Sequence, residues 1–430
     1  MKKSLTGLLL FFSVTVFSQT ALTKIRVNEK RIEERLSELA KFGKDSTGKN
    51  YRVAFSKADI QGRAYVFDVM KKAGLDVSID FAGNMIGKQK GKDASKKPIA
   101  FGSHIDMVPA GGNYDGCVGS LSAIEAIETL NENKIVTTHP LEVIIFSDEE
   151  GGTVGSRSLA GEMNKAAFDE VSNSGLTIGA GIKAIGGNTE RINEAKINKG
   201  DLSAFIELHI EQGGILEKEQ IQIGVVEGIV GIEHWQVTVE GFANHAGTTP
   251  MNSRQDALLA AAKFIIAVND AVKSFEGRQV GTVGKIAAEP GAPNVIPGKC
   301  VMTLELRDLS AEKITKLFEA IKSKSAEIAK ESSTTISFKH LNVAIAPALT
   351  AKTVQDKIIA AASQLGLSYK MMQSGAGHDS QEMALITPVG MIFIPSVGGI
   401  SHSPKEFSKT ADIGNGADVL LQTILKLDQE

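Results

Sequence analysis

The chain has 430 residues, 42% of them hydrophobic and 23% charged, the mix of a globular protein long enough to bury a core without metal or disulfide staples. Lys and Arg number 47 against 50 Asp and Glu, and a net charge of −3 argues against a nucleic-acid binder, which shows a basic excess or stripe. Two cysteines, Cys117 and Cys300, exclude a disulfide framework and read as free thiols.

The first segment, MKKSLTGLLLFFSVTVFSQT (1–20), has a basic start at Lys2 and Lys3 and an apolar stretch from Leu5 to Phe17, too short to span a bilayer as a helix. With Val16-Phe17-Ser18 where signal peptidase would cut, residues 1–18 read as a secretory signal; the other reading is a buried or membrane-anchoring helix. The mature protein is expected to be periplasmic or secreted, with no further membrane span. Val27, Ile32, Leu36, Leu39 and Phe42 then recur at helical spacing, and residues 58–73 predict a second helix. KPIAFGSH (97–104), LEVIIFSDEE (141–150) and AFIELH (204–209) are continuous apolar runs ending in ionisable residues, which suits strands buried on both faces. Val118, Leu121, Ile124, Ile127 and Leu130 give the segment between the first two a single apolar helical face. Strand, helix, strand implies a right-handed crossover in a mainly parallel sheet.

The pattern changes after Gly231. HWQVTVEG (234–241) places Trp235, Val237 and Val239 on one face. VMTLELRD (301–308) alternates strictly, with Thr303, Glu305 and Arg307 on its polar face. Helices over 253–275 and 310–331 and strands over 281–288 and 334–340 complete the order strand–helix–strand–strand–helix–strand, which is ferredoxin-like. The fold class is therefore α/β, a larger domain over 19–230 and 343–430 with a smaller α+β domain, 231–342, inserted into it.

GSHID (102–106), GGNYDG (111–116), SDEEGG (147–152), ELHIEQGG (207–214) and GGISHSP (398–404) put ionisable groups where strands hand over to loops, the rim that ligands favour in open α/β sheets. They supply His104, Asp106, Asp115, Glu149, Glu150, His209 and His402. Three histidines with carboxylates suit Zn²⁺, and Mn²⁺, Co²⁺ or Ni²⁺ could bind the same set. One carboxylate can bridge two such ions. Taken singly, a histidine is more often a packed or surface residue than a ligand, and adjacent glutamates such as Glu149-Glu150 are usually a solvated loop. The pair ends a buried strand, however, so one carboxylate can face a metal and its neighbour a reacting water. Asp106, two residues from His104, can accept its other ring N–H, or can cap the loop. Arg307 can clamp a carboxylate with its guanidinium fork, or pair with Glu305 or Asp308 on the surface.

GSHIDMVPAGGNYDG, SDEEGG, ELHIEQGGILE, GFANHAGTTPMNSRQDA, GAPNVIP…ELRD, SGAGHDSQEMA and IPSVGGISHSPKE together resemble the hydantoinase/carbamoylase branch of the M20 metallopeptidase superfamily, over about residues 25–425. The resemblance implies two divalent cations, one held by His104, Asp115 and His209 and the other by Asp115, Glu150 and His402. Asp115 would bridge them. It implies Glu149 as the base for the attacking water and the later proton donor to the leaving nitrogen. Arg307 would bind the carboxylate of an N-carbamoyl amino acid or of allantoate, with Gln212, Asn294 and the backbone of Gly377 adding contacts. His245, donated across a homodimer by the smaller dimerisation or lid domain, would stabilise the oxyanion. His378 and Asp379 are held as supporting candidates, and His139, His234 and His340 as structural. M20 peptidases typically carry aspartate at the position of His209, which points away from peptidase activity. Two features depart from the family pattern. EEGGTVGSRSLAG (149–161) lacks the Arg-Phe found in many relatives, which bears on side-chain preference, and the signal segment contrasts with cytoplasmic relatives. The competing readings are an M20-type dipeptidase or aminoacylase and a non-catalytic binding homologue.

Overall fold

The computed structural model describes residues 25–341 and 345–430. The segment read as a secretory signal lies outside them. The chain forms two compact units, one made of the residues up to Glu227 with Thr350–Glu430, the other of Gly228–Leu349. The expected limits of 231 and 342 fall inside the smaller unit, because its stem extends beyond the change in periodicity. Ile345 bridges Ile232, and Ala348 and Leu349 pair with Ile229 and Gly228.

Most of the predicted helices start at a polar side chain that satisfies an otherwise orphaned N–H. Asn28 accepts from Arg31 ahead of Glu29–Leu39, and Ser56 from Asp59 ahead of Lys57–Lys72. Asp256 accepts from Leu258 and Leu259 ahead of Ala257–Ser274, and Ser310 from Lys313 ahead of Ala311–Ser332.

In the larger unit the sheet order is Asp76–Ile79, Met85–Gln89, Leu141–Phe146, Ile99–His104, Ala204–Ile210, Val389–Ile394 and Ile223–Ile229, with Tyr369–Ser374 pairing on the last. The four strands from Leu141–Phe146 to Val389–Ile394 are mutually parallel, and those flanking them antiparallel. Side chains alternate between two cores. Phe101, Val143, Ile145, Ile206 and Leu208 pack with apolar residues of the helices Glu29–Leu39, Cys117–Glu132 and Thr410–Leu427. Ala100, Ile144, Phe146 and Phe205 pack on the opposite face with Val154, Leu159, Ile178, Ile182 and Met383. Double-sided burial is why these strands read as unbroken apolar runs. Each large side chain so buried contributes roughly 1.5–3 kcal/mol. Because the central strands are parallel, their C-terminal ends lie along one edge, and His104 and His209 are strand-terminal or next to it.

In the smaller unit the order is Thr335–His340, Gly231–Glu240, Lys299–Asp308, Val280–Glu289, all antiparallel. By chain position this is fourth, first, third, second, the ferredoxin-like arrangement. Trp235, Val237, Val239, Met302, Leu304 and Leu306 form its core with Phe264, Leu317 and Ile321 of the two helices. Trp235 stacks on Phe318 with ring centroids 4.2 Å apart. Cys117 and Cys300 are buried free thiols. Among the described residues no helix is long and apolar enough to cross a membrane.

Candidate active site

Six of the sequence-predicted residues, His104, Asp115, Glu149, Glu150, His209 and His402, converge at the C-terminal edge of the larger unit's sheet. His104 and His209 are 1% exposed and Asp115 5%. The two oxygens of Asp115 face different partners. Oδ1 lies 3.0 Å from His209 Nε2 and 3.8 Å from His104 Nε2, and Oδ2 lies 3.2 Å from His402 Nε2. His402 Nε2 is in turn 3.5 Å from Glu150 Oε2, and Glu149 Oε2 is 3.6 Å from His104 Nε2. The second ring nitrogens are anchored on backbone, His104 Nδ1 by the Asp106 carbonyl at 3.1 Å and His209 Nδ1 by the Ile210 carbonyl at 2.9 Å. Gly116 follows Asp115 with φ 62°, and a Cβ there would lie 2.3 Å from His104 Nε2. Only glycine permits both that backbone and that approach.

Two buried atoms of this set, His104 Nε2 and Glu150 Oε1, have no hydrogen-bond partner. Buried polar atoms without partners are costly in a native fold. The ligand atoms of His104, Asp115 and His209 lie within 4.8 Å of one another, as do those of Asp115, Glu150 and His402. Imidazole nitrogen with carboxylate oxygen is the donor chemistry of zinc and neighbouring divalent ions, so the residues present fit a cation pair sharing Asp115.

The metal-free electrostatics follow from burial and proximity. Burial raises the Glu149 carboxyl well above its ordinary range, and Asp379 adds to the rise. Glu150 is pushed up to about 7 by burial and the charge of Asp115. Asp148, behind them, is pushed up to about 8 by burial, with Asp106 and Asp59 adding to it. Burial would lower His104, but Glu149, Asp106 and Asp115 outweigh it and hold the imidazole well above its usual value. The hydrogen bond to Asp115 raises His402 to about 9. Burial would raise Asp115 as well, yet His209, His402 and His104 hold it well below the carboxylate range. Cation binding would therefore displace protons from this cluster.

Residues 100–426 match Peptidase family M20/M25/M40. An N-carbamoyl-L-amino acid amidohydrolase of Geobacillus stearothermophilus is 38% identical over 408 residues, covering 94% of this chain and 99% of its own. A ureidoglycolate hydrolase of Oryza sativa subsp. japonica is 38% identical over 415 residues, covering 93% and 85%. The crystal structure of an amidase of the hydantoinase/carbamoylase family from Burkholderia multivorans gives a TM-score of 0.88 at 33% identity, covering 94% and 99%. The chain belongs to the hydantoinase/carbamoylase family of the M20 peptidases. It is a hydrolase of carbon–nitrogen bonds.

The other expected residues of the larger unit surround this set, and Asp106 takes the second of its two readings. The Asp106 carboxylate lies 3.6 Å from His104 Nδ1, farther than its own backbone carbonyl, and instead accepts from the N–H groups of Glu149 at 3.3 Å and Glu150 at 3.1 Å. It caps the turn carrying the paired glutamates, because two adjacent N–H groups there have no strand partner. Gln212, at φ 56°, donates from Nε2 to Asp115 Oδ2 at 2.7 Å, and its Oε1 is buried without a partner. Gly377 is half-buried. His378 is buried edge-on to His209 with centroids 4.5 Å apart, and its Nε2 meets Ser374 Oγ at 2.8 Å. Asp379 is buried, with neither oxygen in a hydrogen bond of ordinary length.

The carbamoylase-type residues of the smaller unit are exposed or half-buried. His245 and Asn294 are brought together by a two-stranded ribbon that pairs Val295 with His245, and Ala246 N–H donates to the Asn294 carbonyl at 3.0 Å. Arg307 takes the surface-pair alternative toward Glu305, donating from Nε to Oε1 at 2.7 Å and from Nη2 to Oε2 at 3.1 Å. His234 Nε2 meets the same carboxylate at 2.7 Å, because His234 and Glu305 are cross-strand partners. His139 anchors on the Lys97 carbonyl and His340 on Glu233. The sequence reading passed over Glu406, a buried carboxylate bonded to the loops of Asp115 and His402, and Glu207, which accepts from Ser103 and Ser380 behind the site. Only the adjacency of Glu406 to the SHSP motif hinted at it.

Proposed function

We propose that the protein is an exported, homodimeric two-cation amidohydrolase that cleaves the C–N bond of a small carbamoyl or ureido compound bearing a carboxylate. The observation that carries this reading is the division of Asp115, one oxygen toward His209 and the other toward His402. His104, Asp115 and His209 would hold one divalent ion, and Asp115, Glu150 and His402 the other. Zn²⁺ is the first choice for this donor set, with Mn²⁺, Co²⁺ or Ni²⁺ as alternatives. When bound, such a pair polarises the scissile carbonyl and makes water acidic enough to attack near neutral pH.

The rest of the chemistry belongs to the side chains. Glu149 takes the proton of the attacking water as the C–O bond forms. It returns that proton to the leaving nitrogen as the C–N bond breaks. Its burial raises its proton affinity, which suits a group that must hold a proton between the two steps. His245 Nδ1 accepts from the N–H groups of Gly247 at 3.0 Å and Thr248 at 3.3 Å, so a neutral ring carries its proton on Nε2, free to donate to an oxyanion. Arg307 exchanges its Glu305 partner for the substrate carboxylate and clamps it, and Asn294, Gln212 and the Gly377 backbone fix its orientation. For an N-carbamoyl amino acid the products are the amino acid and carbamate, which decomposes to CO₂ and ammonia.

The relatives named above act on N-carbamoyl-L-amino acids and ureidoglycolate, and both compounds carry a carboxylate beside the ureido group. The test is ammonia release with Zn²⁺ or Mn²⁺ added, across N-carbamoyl-L-amino acids, N-carbamoyl-β-alanine, allantoate, ureidoglycolate and dipeptides. Turnover of at least one ureido compound is expected. Cleavage of dipeptides alone, read as free amine, rejects the proposal. Mixing Glu149→Gln and His245→Ala subunits should restore activity if His245 serves the other subunit, and no recovery contradicts that part. Export predicts a mature N-terminus close to residue 19, against a retained Met1.

A further inference from the structure

The cation ligands come from loops far apart in sequence, and one buried side chain that ligates nothing joins two of them. Glu406 is 4% exposed. Its Oε1 accepts from the backbone N–H groups of Tyr114 at 2.9 Å and Asp115 at 3.0 Å. Its Oε2 accepts from Ser401 Oγ at 2.9 Å and from the His402 N–H at 3.2 Å. One oxygen thus holds the loop of the shared carboxylate, and the other holds the turn of the histidine that serves only the second cation. Ser401 Oγ also lies 3.2 Å from Asp115 Oδ2, which closes the network onto the ligand itself.

Two further features mark this contact as built rather than incidental. A Cβ at Gly112 would lie 2.1 Å from Glu406 Oε1 and 2.3 Å from its Cδ, so residue 112 must be glycine for the carboxylate to reach the Asp115 loop. His402 has φ 54°, a left-handed backbone that a non-glycine residue adopts only when its surroundings impose it, and the bond from Glu406 is on its own N–H.

We propose that Glu406 is a positioning residue that sets the affinity and order of filling of the cation pair, acting through the backbones of Asp115 and His402. The inference rests on the two-cation reading above. Loss of Glu406 loosens Asp115, which serves both ions, and His402, which serves one. The Glu150–His402 position therefore suffers more than the His104–His209 position. Glu406→Gln replaces one acceptor oxygen by an N–H₂ group. Whichever way the amide turns it faces at least one backbone N–H, that of His402 or those of Tyr114 and Asp115, so at least one attraction becomes a repulsion.

The experiment is titration of the metal-stripped full-length protein with Zn²⁺, followed by calorimetry and by metal content after dialysis, with urea unfolding run alongside to show the variant is folded. Wild type should bind two ions per chain. Glu406→Gln should hold one ion near wild-type affinity and bind the second about 10–100-fold more weakly, the range for groups that orient metal ligands. Gly112→Ala, which displaces the same carboxylate without altering it, should give the same split. Ser401→Ala, which removes only the hydroxyl between Glu406 and Asp115 Oδ2 and should fold in any event, should give a smaller shift confined to the second ion. Two ions of unchanged affinity in Glu406→Gln or Ser401→Ala overturn the proposal, as does equal weakening of both. A wild-type protein that binds fewer than two ions overturns the two-cation reading itself, and so separates the two failures.

Discussion

The two units handle polar chemistry in opposite ways. In the larger one the ionisable groups are taken out of water at the ends of parallel strands, with His104 and His209 1% exposed. Their charges then act on one another with less screening than in water, and proton affinities move far from ordinary values. In the smaller one His245 and Asn294 stand exposed on a short ribbon, and Arg307 lies half-buried on the open face of a sheet whose other face is its core. Proton and metal chemistry needs desolvation, whereas recognition needs groups presented on the outside of a rigid scaffold. The units should accordingly fail differently when mutated, the larger in turnover and metal content, the smaller in substrate handling with the cations kept.

The sharpest contrast is at Glu149. Glu149→Gln should lower kcat by about 10²–10⁴-fold, the range for a lost general acid–base, while two cations per chain remain. Metal loss together with turnover would merge Glu149 with the ligands. In the smaller unit, His245→Ala should lower kcat about 10²–10³-fold as an oxyanion donor is lost, with metal content again unchanged. Arg307→Lys keeps the charge but removes the fork, and should raise KM about 10–100-fold with kcat within a few-fold. A kcat effect with unchanged KM would place Arg307 in the chemistry rather than in recognition.

The smallest effect is on the stability of the metal-stripped protein. Asp148, pushed up to about 8 from 3.8, and Glu150, up to about 7 from 4.5, keep protons in the fold that the unfolded chain has released. Their contribution is complete below the unfolded values and is lost as pH rises through the folded ones. His402, raised to about 9 from 6.5, acts in the same direction, present below about 6.5 and lost through 9. The urea midpoint in chelator should therefore fall between about pH 5 and 8, and saturating Zn²⁺ should flatten the slope by taking the place of the protons on Glu150 and His402. A metal-free midpoint that rises over that interval contradicts the burial account.

Much of this was legible in the sequence because it is local. The run IAFGSH ends in His104 and LEVIIFSDEE in Glu149 and Glu150, and alternation in VMTLELRD separates the Met302–Leu304–Leu306 core face from Arg307. Less local features were hidden. Val389–Ile394 is buried throughout and has no period to distinguish strand from helix, while Asp76–Ile79 is too exposed to look like a strand. Glu406 bonds to a backbone 291 residues away, and apart from its nearness to His402 it reads in SHSPKE as a solvated charge. The closure of Arg307 on Glu305 was one of two open alternatives, and spacing alone could not choose between them. Asp106 was placed correctly beside His104, but its acceptors serve the Glu149–Glu150 turn, a partner set by tertiary packing.

The central claim is that Asp115 lies between two cations. Crystals of the Zn²⁺-loaded full-length protein, measured at and below the zinc absorption edge, test it without recourse to activity. The account predicts two anomalous peaks roughly 3.5–4 Å apart, one beside His104 and His209, the other beside Glu150 and His402, with one Asp115 oxygen on each. A single peak, or a pair whose midpoint lies away from Asp115, would contradict it.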